Sequence, residues 1–225
     1  MANLHVIIPV YNHWELCHNL LWKMYRNDNK SISSVLVVDD CSTDANVEDG
    51  ARWWSDKAGM LKVTYLQTPS NLGFLKTSNL GLSQFKENDP EDVLVLISTD
   101  VEYQGSIMPT TMELASLNSL VGGRLLYGDT GWNKFGDKVF PYLEGWFLAA
   151  SQSNWSKLGL FDERYAPYDF EDVDLSTKAI SLGMDLCPLN HPSLKHLGGQ
   201  SIGFSATREA QTLANRRKFA EKWKV

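Results

Sequence analysis

No glycine-rich phosphate loop is present: no GxGxxG follows the first apolar run, and no GxxxxGK[ST] occurs anywhere. A bound nucleotide would therefore need its phosphates neutralised by something other than a backbone cradle. Cysteine is scarce. Cys17, Cys41 and Cys187 are far apart and form no CxxC pair, which excludes a disulfide framework and a thiolate zinc site. They read as reduced thiols in or near a core. Long apolar runs are missing too: nothing approaches ~18 continuous apolar residues, and no basic segment with an apolar run opens the chain. Neither a membrane span nor a cleavable signal is expected, and the predicted location is cytoplasmic. Positive charge is in the minority, with 21 Lys and Arg against 27 Asp and Glu, a net charge of −6 and a pI of about 5.4. No general field favours nucleic acid or membranes, although local basic patches remain open. Repeats, low-complexity tracts and Gly/Ser/Pro linkers are also absent, so the 225 residues are read as one domain.

What is present is an alternation of strands and helices. Leu4–Val10 is a short apolar run stopped at Pro9, and Asn12 to Tyr25 carries Leu16, Leu20, Leu21 and Met24 at a helical period. Val35–Val38 and Val63–Leu66 are further strands, separated by a helix through Trp53 and Trp54. After Asn71-Leu72-Gly73-Phe74 a helix runs to about Phe85. The run Val93-Leu94-Val95-Leu96-Ile97 follows, and five branched residues in a row mark a strand covered on both faces. The alternation predicts an α/β fold with a right-handedly wound, mostly parallel sheet. Beyond it, Met108 to Leu120 is predicted helical and Val121 to Tyr142 a loop or hairpin region. Trp146–Ala150 reads as a strand, Phe170–Leu182 as a helix with an acidic first turn, and about Thr207 to Trp223 as a basic final helix. The division is a nucleotide-type half, about residues 1–102, and an acceptor-side half, about 103–225.

Chemistry concentrates at three places. Strand ends in an open α/β sheet face ligands, and two strands end in carboxylates, at Asp39/Asp40 and at Ser98-Thr99-Asp100. A carboxylate there can hold a divalent ion, or it can merely turn the chain or cap a helix. The second place is Asp169-Phe170-Glu171-Asp172-Val173-Asp174, where Asp169 and Asp172 are expected on one helical face. One of these acids could be poised as a general base, and an acidic solvated first turn explains the spacing equally well. The third is His196-Leu197-Gly198-Gly199-Gln200-Ser201, where two glycines would let backbone approach a ligand closely. Trp132, Tyr142, Trp146 and Trp155 could stack on sugar rings or simply fill the core.

Together these segments resemble glycosyltransferase family 2, the inverting, metal-dependent nucleotide-sugar transferases. Pro9-Val10-Tyr11-Asn12 is similar to the family's opening strand and turn, and Val38-Asp39-Asp40-Cys41-Ser42-Thr43-Asp44 to its second strand-end motif. Asn71-Leu72-Gly73-Phe74 with Asn79-Leu80-Gly81 matches the helix that follows. Ser98-Thr99-Asp100 stands where the family carries Asp-x-Asp, with Ser98 replacing the first acid. Gly159-Leu160-Phe161-Asp162-Glu163, followed by Glu171-Asp172-Val173-Asp174-Leu175, matches the acceptor-side motif. The late histidine segment and Lys222-Trp223 complete the order.

The resemblance implies the GT-A fold, a Rossmann-like nucleotide-diphospho-sugar transferase fold with helices on both faces of the sheet. It implies a nucleoside-diphosphate sugar donor, on uracil or another base, held by Pro9, Val10, Tyr11, Asn12, Asp39, Asp40, Asn71, Gly73, Lys76, Ser98 and Thr99. Asp100, with His196, would hold Mn²⁺ or Mg²⁺. Asp172 would be the base, with Glu171 beside it, and Glu144, Gly145, Trp146 and Asp169 would face the acceptor. The acceptor would be a hydroxyl on a glycan or lipid-linked glycan of a surface polysaccharide or glycoconjugate. The alternative is a hydroxymethylated DNA base, as for some phage members. A nucleotidyltransferase would want a Gly-rich, basic loop where Pro9-Val10-Tyr11-Asn12-His13 stands. An inert nucleotide-sugar-binding module would have no need of Glu171-Asp172.

Overall fold

The computed structural model of the chain describes residues 2–198 and 205–225. The first half builds its strands and helices in strict turn: β1 (Leu4–Val10), α1 (Trp14–Asp28), β2 (Ser34–Asp39), α2 (Asn46–Ser55), β3 (Val63–Gln67), α3 (Phe74–Ser83) and β4 (Val93–Ile97). β1 pairs in parallel with both β2 and β4, and β2 pairs in parallel with β3. Side chains alternate across the pleat. Val6, Ile8 and Val10 of β1 join Val93, Val95 and Ile97 of β4 in a core shared with α1 and α2. Ile7, Leu94 and Leu96 face the other way, into a core with Leu75 and Leu82 of α3. Two-sided burial explains the unbroken apolar runs read in the sequence. α3 lies close on the sheet because residue 81 is glycine: a Cβ there would stand 2.5 Å from Cγ2 of Ile7.

The second half departs from simple alternation. After β5 (Val101–Tyr103), α4 spans Met108–Ala115 and then stops. Ser119–Gly122, expected as the end of that helix and the start of a loop, is instead β6, a fully buried strand of the main sheet. The window Ser119-Leu120-Val121-Gly122 is too short to show strand alternation, and its pairing partners lie far along the chain. The looped region holds β7 (Leu125–Leu126), a small hairpin of β8 (Lys134–Phe135) and β9 (Lys138–Val139), and β10 (Tyr142–Leu143). β11 (Phe147–Ser151) runs antiparallel between β4 and β6, and α5 (Gln152–Leu158) follows it. A 3-10 turn at Glu163–Tyr165 leads to α6 (Glu171–Ser181), then β12 (Asp185–Pro188) and β13 (Leu194–His196), which were not foreseen, and α7 (Ala206–Trp223).

The main sheet has seven strands in the order β12-β6-β11-β4-β1-β2-β3, and β11 alone runs against the others. Helices cover both faces, α1, α2 and α4 on one and α3, α5, α6 and α7 on the other. Cys17 is buried in the first core, and Cys41 and Cys187 are half-buried free thiols. Among the described residues no helix is long and apolar enough to cross a membrane.

Candidate active site

β4 delivers the first functional group. Past Ile97 the chain leaves the sheet, and Ser98 donates its N–H to the Trp146 carbonyl at 2.9 Å. Asp100 follows, with its carboxylate almost wholly buried. β5 pairs with β13 so that His196 lies opposite Val101, and the Leu197 N–H donates to the Asp100 carbonyl. This ladder sets His196 Nε2 3.2 Å from Asp100 Oδ1. The imidazole lies nearly parallel to the Trp146 indole, with centroids 5.4 Å apart at 13°. Trp146 Nε1 in turn donates to Glu144 Oε2 at 3.2 Å. A carboxylate oxygen and an imidazole nitrogen thus meet, and among the described residues no group of three or more His, Cys, Asp or Glu is placed to hold a metal ion. Such a pair fits a divalent ion that takes its remaining ligands from water and phosphate oxygens. Gly199, Gln200 and Ser201 of the histidine segment lie outside the described residues.

The second group sits at the start of α6. Asp169 and Phe170 both adopt positive φ, 70° and 76°, so Asp169 precedes the helix and does not share a helical face with Asp172. Arg208 of α7 holds Asp169 at 2.8 Å, and Thr212 donates to it at 2.7 Å. Asp172 is oriented by backbone: its Oδ2 accepts from Gly145 N–H at 3.1 Å and its Oδ1 from Val173 N–H at 2.8 Å. Burial pushes the Asp172 carboxyl up to about 7, opposed by those two bonds and helped by the charges of Asp169 and Glu144. Glu171 is pushed well above the ordinary carboxylate range by burial and by the neighbouring Asp172 charge. Its Oε2 is buried without a hydrogen-bond partner. Burial thus pushes both carboxyls of the pair towards their neutral forms.

Both groups line one cleft of about 870 Å³, the size of a cofactor or nucleotide-sugar pocket. From the first half it receives Pro9, Val10 and Tyr11 at the end of β1, then Asp40, Asn71 and Gly73, then Ser98 and Thr99. From the second it receives Glu144, Gly145, Trp146 and Asp169. Trp132 and Tyr142 reach it as well. Trp155 does not: it is 2% exposed, donates to the Leu94 carbonyl and belongs to the core. Asn12, Asp39 and Lys76 are not among the lining residues. Asn12 Oδ1 accepts from the Thr43 and Asp44 N–H groups, Asp39 accepts from Ser42, Tyr65 and Gln67, and Lys76 stands 3.9 Å from Glu163. Asp40 does line the cleft while its two oxygens accept from the Leu72 and Gly73 N–H groups at 2.7 and 2.8 Å. Gly73 needs its glycine, with φ 81° and Pro167 where a Cβ would go. Phe74, Tyr168, Arg208 and Glu209, not foreseen as site residues, also line the cleft. Arg208 was visible only as one charge of a basic helix, and Tyr168 carried no signal.

Comparison with known proteins agrees with this architecture. A family model described as glycosyl transferase family 2 matches residues 5–174. GalNAc-T7, solved with UDP, GalNAc and Mn²⁺, superposes with a TM-score of 0.74 at 14% identity, covering 98% of this chain and 48% of that one. The mannosyltransferase PcManGT of Pyrobaculum calidifontis, solved with GDP-Man and Mn²⁺, gives 0.69 at 19% identity, with coverage of 98% and 64%. TarS of S. aureus, residues 1–349 with UDP-GlcNAc, gives 0.56 at 18% identity, with coverage of 79% and 53%. The chain thus spans roughly half to under two thirds of the length of these structures. No curated protein matches it. A match across three quarters of the sequence, joined to the sheet order and the cleft at its strand ends, makes the chain a member of glycosyl transferase family 2 with the GT-A fold.

Proposed function

We propose that the chain transfers a sugar from a nucleoside-diphosphate sugar to an acceptor hydroxyl, with inversion, in a single displacement. The observation that carries this reading is Asp172. Two backbone N–H groups aim its carboxylate at the cleft, and burial holds it near neutrality, where a general base works best. A sugar hydroxyl is too weakly acidic to attack unaided at neutral pH. Asp172 takes its proton as the new bond forms at the anomeric carbon. Glu171, which burial and the Asp172 charge push towards its neutral form, leaves the proton-accepting role to Asp172. Asp100 and His196 would hold a divalent ion, which neutralises charge on the departing diphosphate when bound. The structural neighbours solved with Mn²⁺ and UDP or GDP-Man support the use of a divalent ion. Tyr11, 44% exposed at the end of β1, offers an aromatic face to the donor base. An inert binding module would gain nothing from an oriented carboxylate pair with the buried Glu171 left short of a hydrogen bond, because such an arrangement costs stability.

The test is calorimetric titration of nucleoside diphosphates and their sugars with and without Mn²⁺. Binding that requires Mn²⁺ and falls on the order of a hundredfold in Asp100→Ala, and about tenfold in His196→Ala, is expected. Equal affinity with and without the ion, or in Asp100→Ala, refutes the metal assignment.

A further inference from the structure

The loop before the β8–β9 hairpin holds a large exposed aromatic in a fixed setting. Trp132 is 40% exposed and lines the cleft, while its neighbour Asn133 is completely buried. Asn133 ties the loop to itself. Its Oδ1 accepts from the Thr130 N–H and hydroxyl at 2.9 and 3.0 Å, and its Nδ2 donates to the Gly128 and Phe140 carbonyls at 2.9 and 3.1 Å. α7 ties the loop to the body. Arg216 donates to the Trp132 carbonyl at 3.3 Å and to the Lys134 carbonyl, and its guanidinium lies 4.2 Å from the Phe135 ring centre. Phe135 stacks on the fully buried Phe219, with centroids 5.2 Å apart. An indole left open to water at the cleft while the chain on both sides of it is anchored is a preorganised contact surface.

Trp146 forms a second indole in the same cleft, 7% exposed and stacked with His196. The cleft therefore has an inner aromatic beside the Asp100–His196 pair and an outer one near its mouth. Resting on the glycosyl-transfer reading, we infer that Trp132 is an acceptor platform for a sugar ring beyond the one that is glycosylated. The acceptor is then a saccharide of at least two units. Flat rings fit the apolar face of a pyranose, and Glu144 and Glu209, which line the cleft with Trp132, can accept its hydroxyls.

An indole also stacks on nucleobases, so charge decides between the two polymers. α7 looks basic in sequence, but of its cations only Arg208 is among the residues lining the cleft, and Arg217 is exposed away from that lining. Arg208 pairs with Asp169, Lys222 with Asp162 and Asp174, Lys218 donates to the Arg164 carbonyl, and Arg216 to the carbonyls just named. Lys134, on the hairpin, pairs with Asp129 at 3.2 Å. A cleft lined by Glu144, Asp169 and Glu209, whose lining cation Arg208 is paired with Asp169, repels a phosphate backbone. A saccharide suits it.

The experiment is saturation-transfer NMR on the full chain with UDP, GDP and diamagnetic Mg²⁺ present. The probes are methyl glycosides of glucose, galactose, mannose and N-acetylglucosamine, their β- and α-linked disaccharides, and a short duplex containing 5-hydroxymethylcytosine. At least one disaccharide should bind roughly tenfold more tightly than its monosaccharide, the scale expected for covering one sugar face. Trp132→Ala should abolish that preference, Trp132→Phe should retain part of it, and nucleoside diphosphate affinity should not change. A preference that survives in folded Trp132→Ala overturns the platform, as does a parent protein that binds no saccharide. Trp132-dependent binding of the duplex in place of sugars overturns it in favour of nucleic acid. A parent protein that binds no nucleoside diphosphate at all overturns the transferase reading as well.

Discussion

Asp39-Asp40 and Glu171-Asp172 are both adjacent acids at the edge of a secondary element, and in sequence they look alike. Their surroundings differ in one respect: how far donors keep up with burial. Asp39 and Asp40 are 1% and 4% exposed, and every carboxylate oxygen accepts from a named donor of Ser42, Tyr65, Gln67, Leu72 or Gly73. That pair fastens two loops to the sheet. Glu171 is buried with one oxygen unpartnered, and Asp172 has two backbone donors set against burial and neighbouring negative charge. A buried acidic pair with every oxygen satisfied is scaffold; a pair at a cleft with one oxygen unpartnered and its members pushing each other towards neutrality is a candidate for chemistry.

The largest expected effect tests the second pair. Asp172→Asn keeps the shape and the Gly145 contact region but removes the base, so turnover should fall by about 10²–10⁴-fold. Nucleoside diphosphate affinity should persist, because the proposed base touches the acceptor hydroxyl and not the diphosphate. In the parent protein, turnover should climb with pH through about 7, as Asp172 loses its proton, and the variant should lose that limb. If Asp172→Asn stays active while Glu171→Gln is inactive, the two acids exchange roles.

The first pair should break differently. Asp40→Ala leaves the Leu72 and Gly73 N–H groups without their acceptor, at a cost of about 2–4 kcal/mol of stability in denaturant unfolding. Asp39→Ala should likewise lower stability through Ser42, Tyr65 and Gln67. Should Asp39→Ala instead raise the donor KM with an unchanged unfolding midpoint, Asp39 reaches the donor after all and the contrast between the pairs fails.

The difference also marks what a sequence can tell. β1, β2 and β4 were legible because two-sided burial demands branched apolar residues in series. The order of strand-end motifs was legible too, and with it the fold family. Partnership was not. Nothing local separates Trp155 in the core from Trp132 on the cleft, since their surroundings come from Leu94 and from Arg216, both distant in the chain. β6 and β12 are short and gain their strand character from pairing with each other and with β11. The charges of α7 could be counted, but the carboxylates that absorb them lie some 40 to 60 residues earlier.

The smallest effect is the most discriminating for the comparison, because it concerns stability and needs no substrate. Glu171 has a folded-state pKa raised above its unfolded value. Between those two values the native state holds a proton that the unfolded chain has released, so stability falls as pH rises through the window. Glu171→Gln removes the titrating group while preserving its shape, and should therefore be more stable than the parent on the alkaline side. The gain should shrink towards acid, where the parent's own Glu171 is protonated in both states. If the relief is about 1 kcal/mol, Tm rises by roughly 2–4 °C for a chain of this size. Scanning calorimetry of both proteins from pH 4 to 9 measures it. Asp40→Asn, by the same measurement, should never be stabilising, because both Asp40 oxygens already have backbone donors and an amide can accept with only one of its two terminal atoms. Parallel Tm curves for Glu171→Gln and the parent would mean that Glu171 is not held protonated, and the distinction drawn between the two acidic pairs would lose its physical basis.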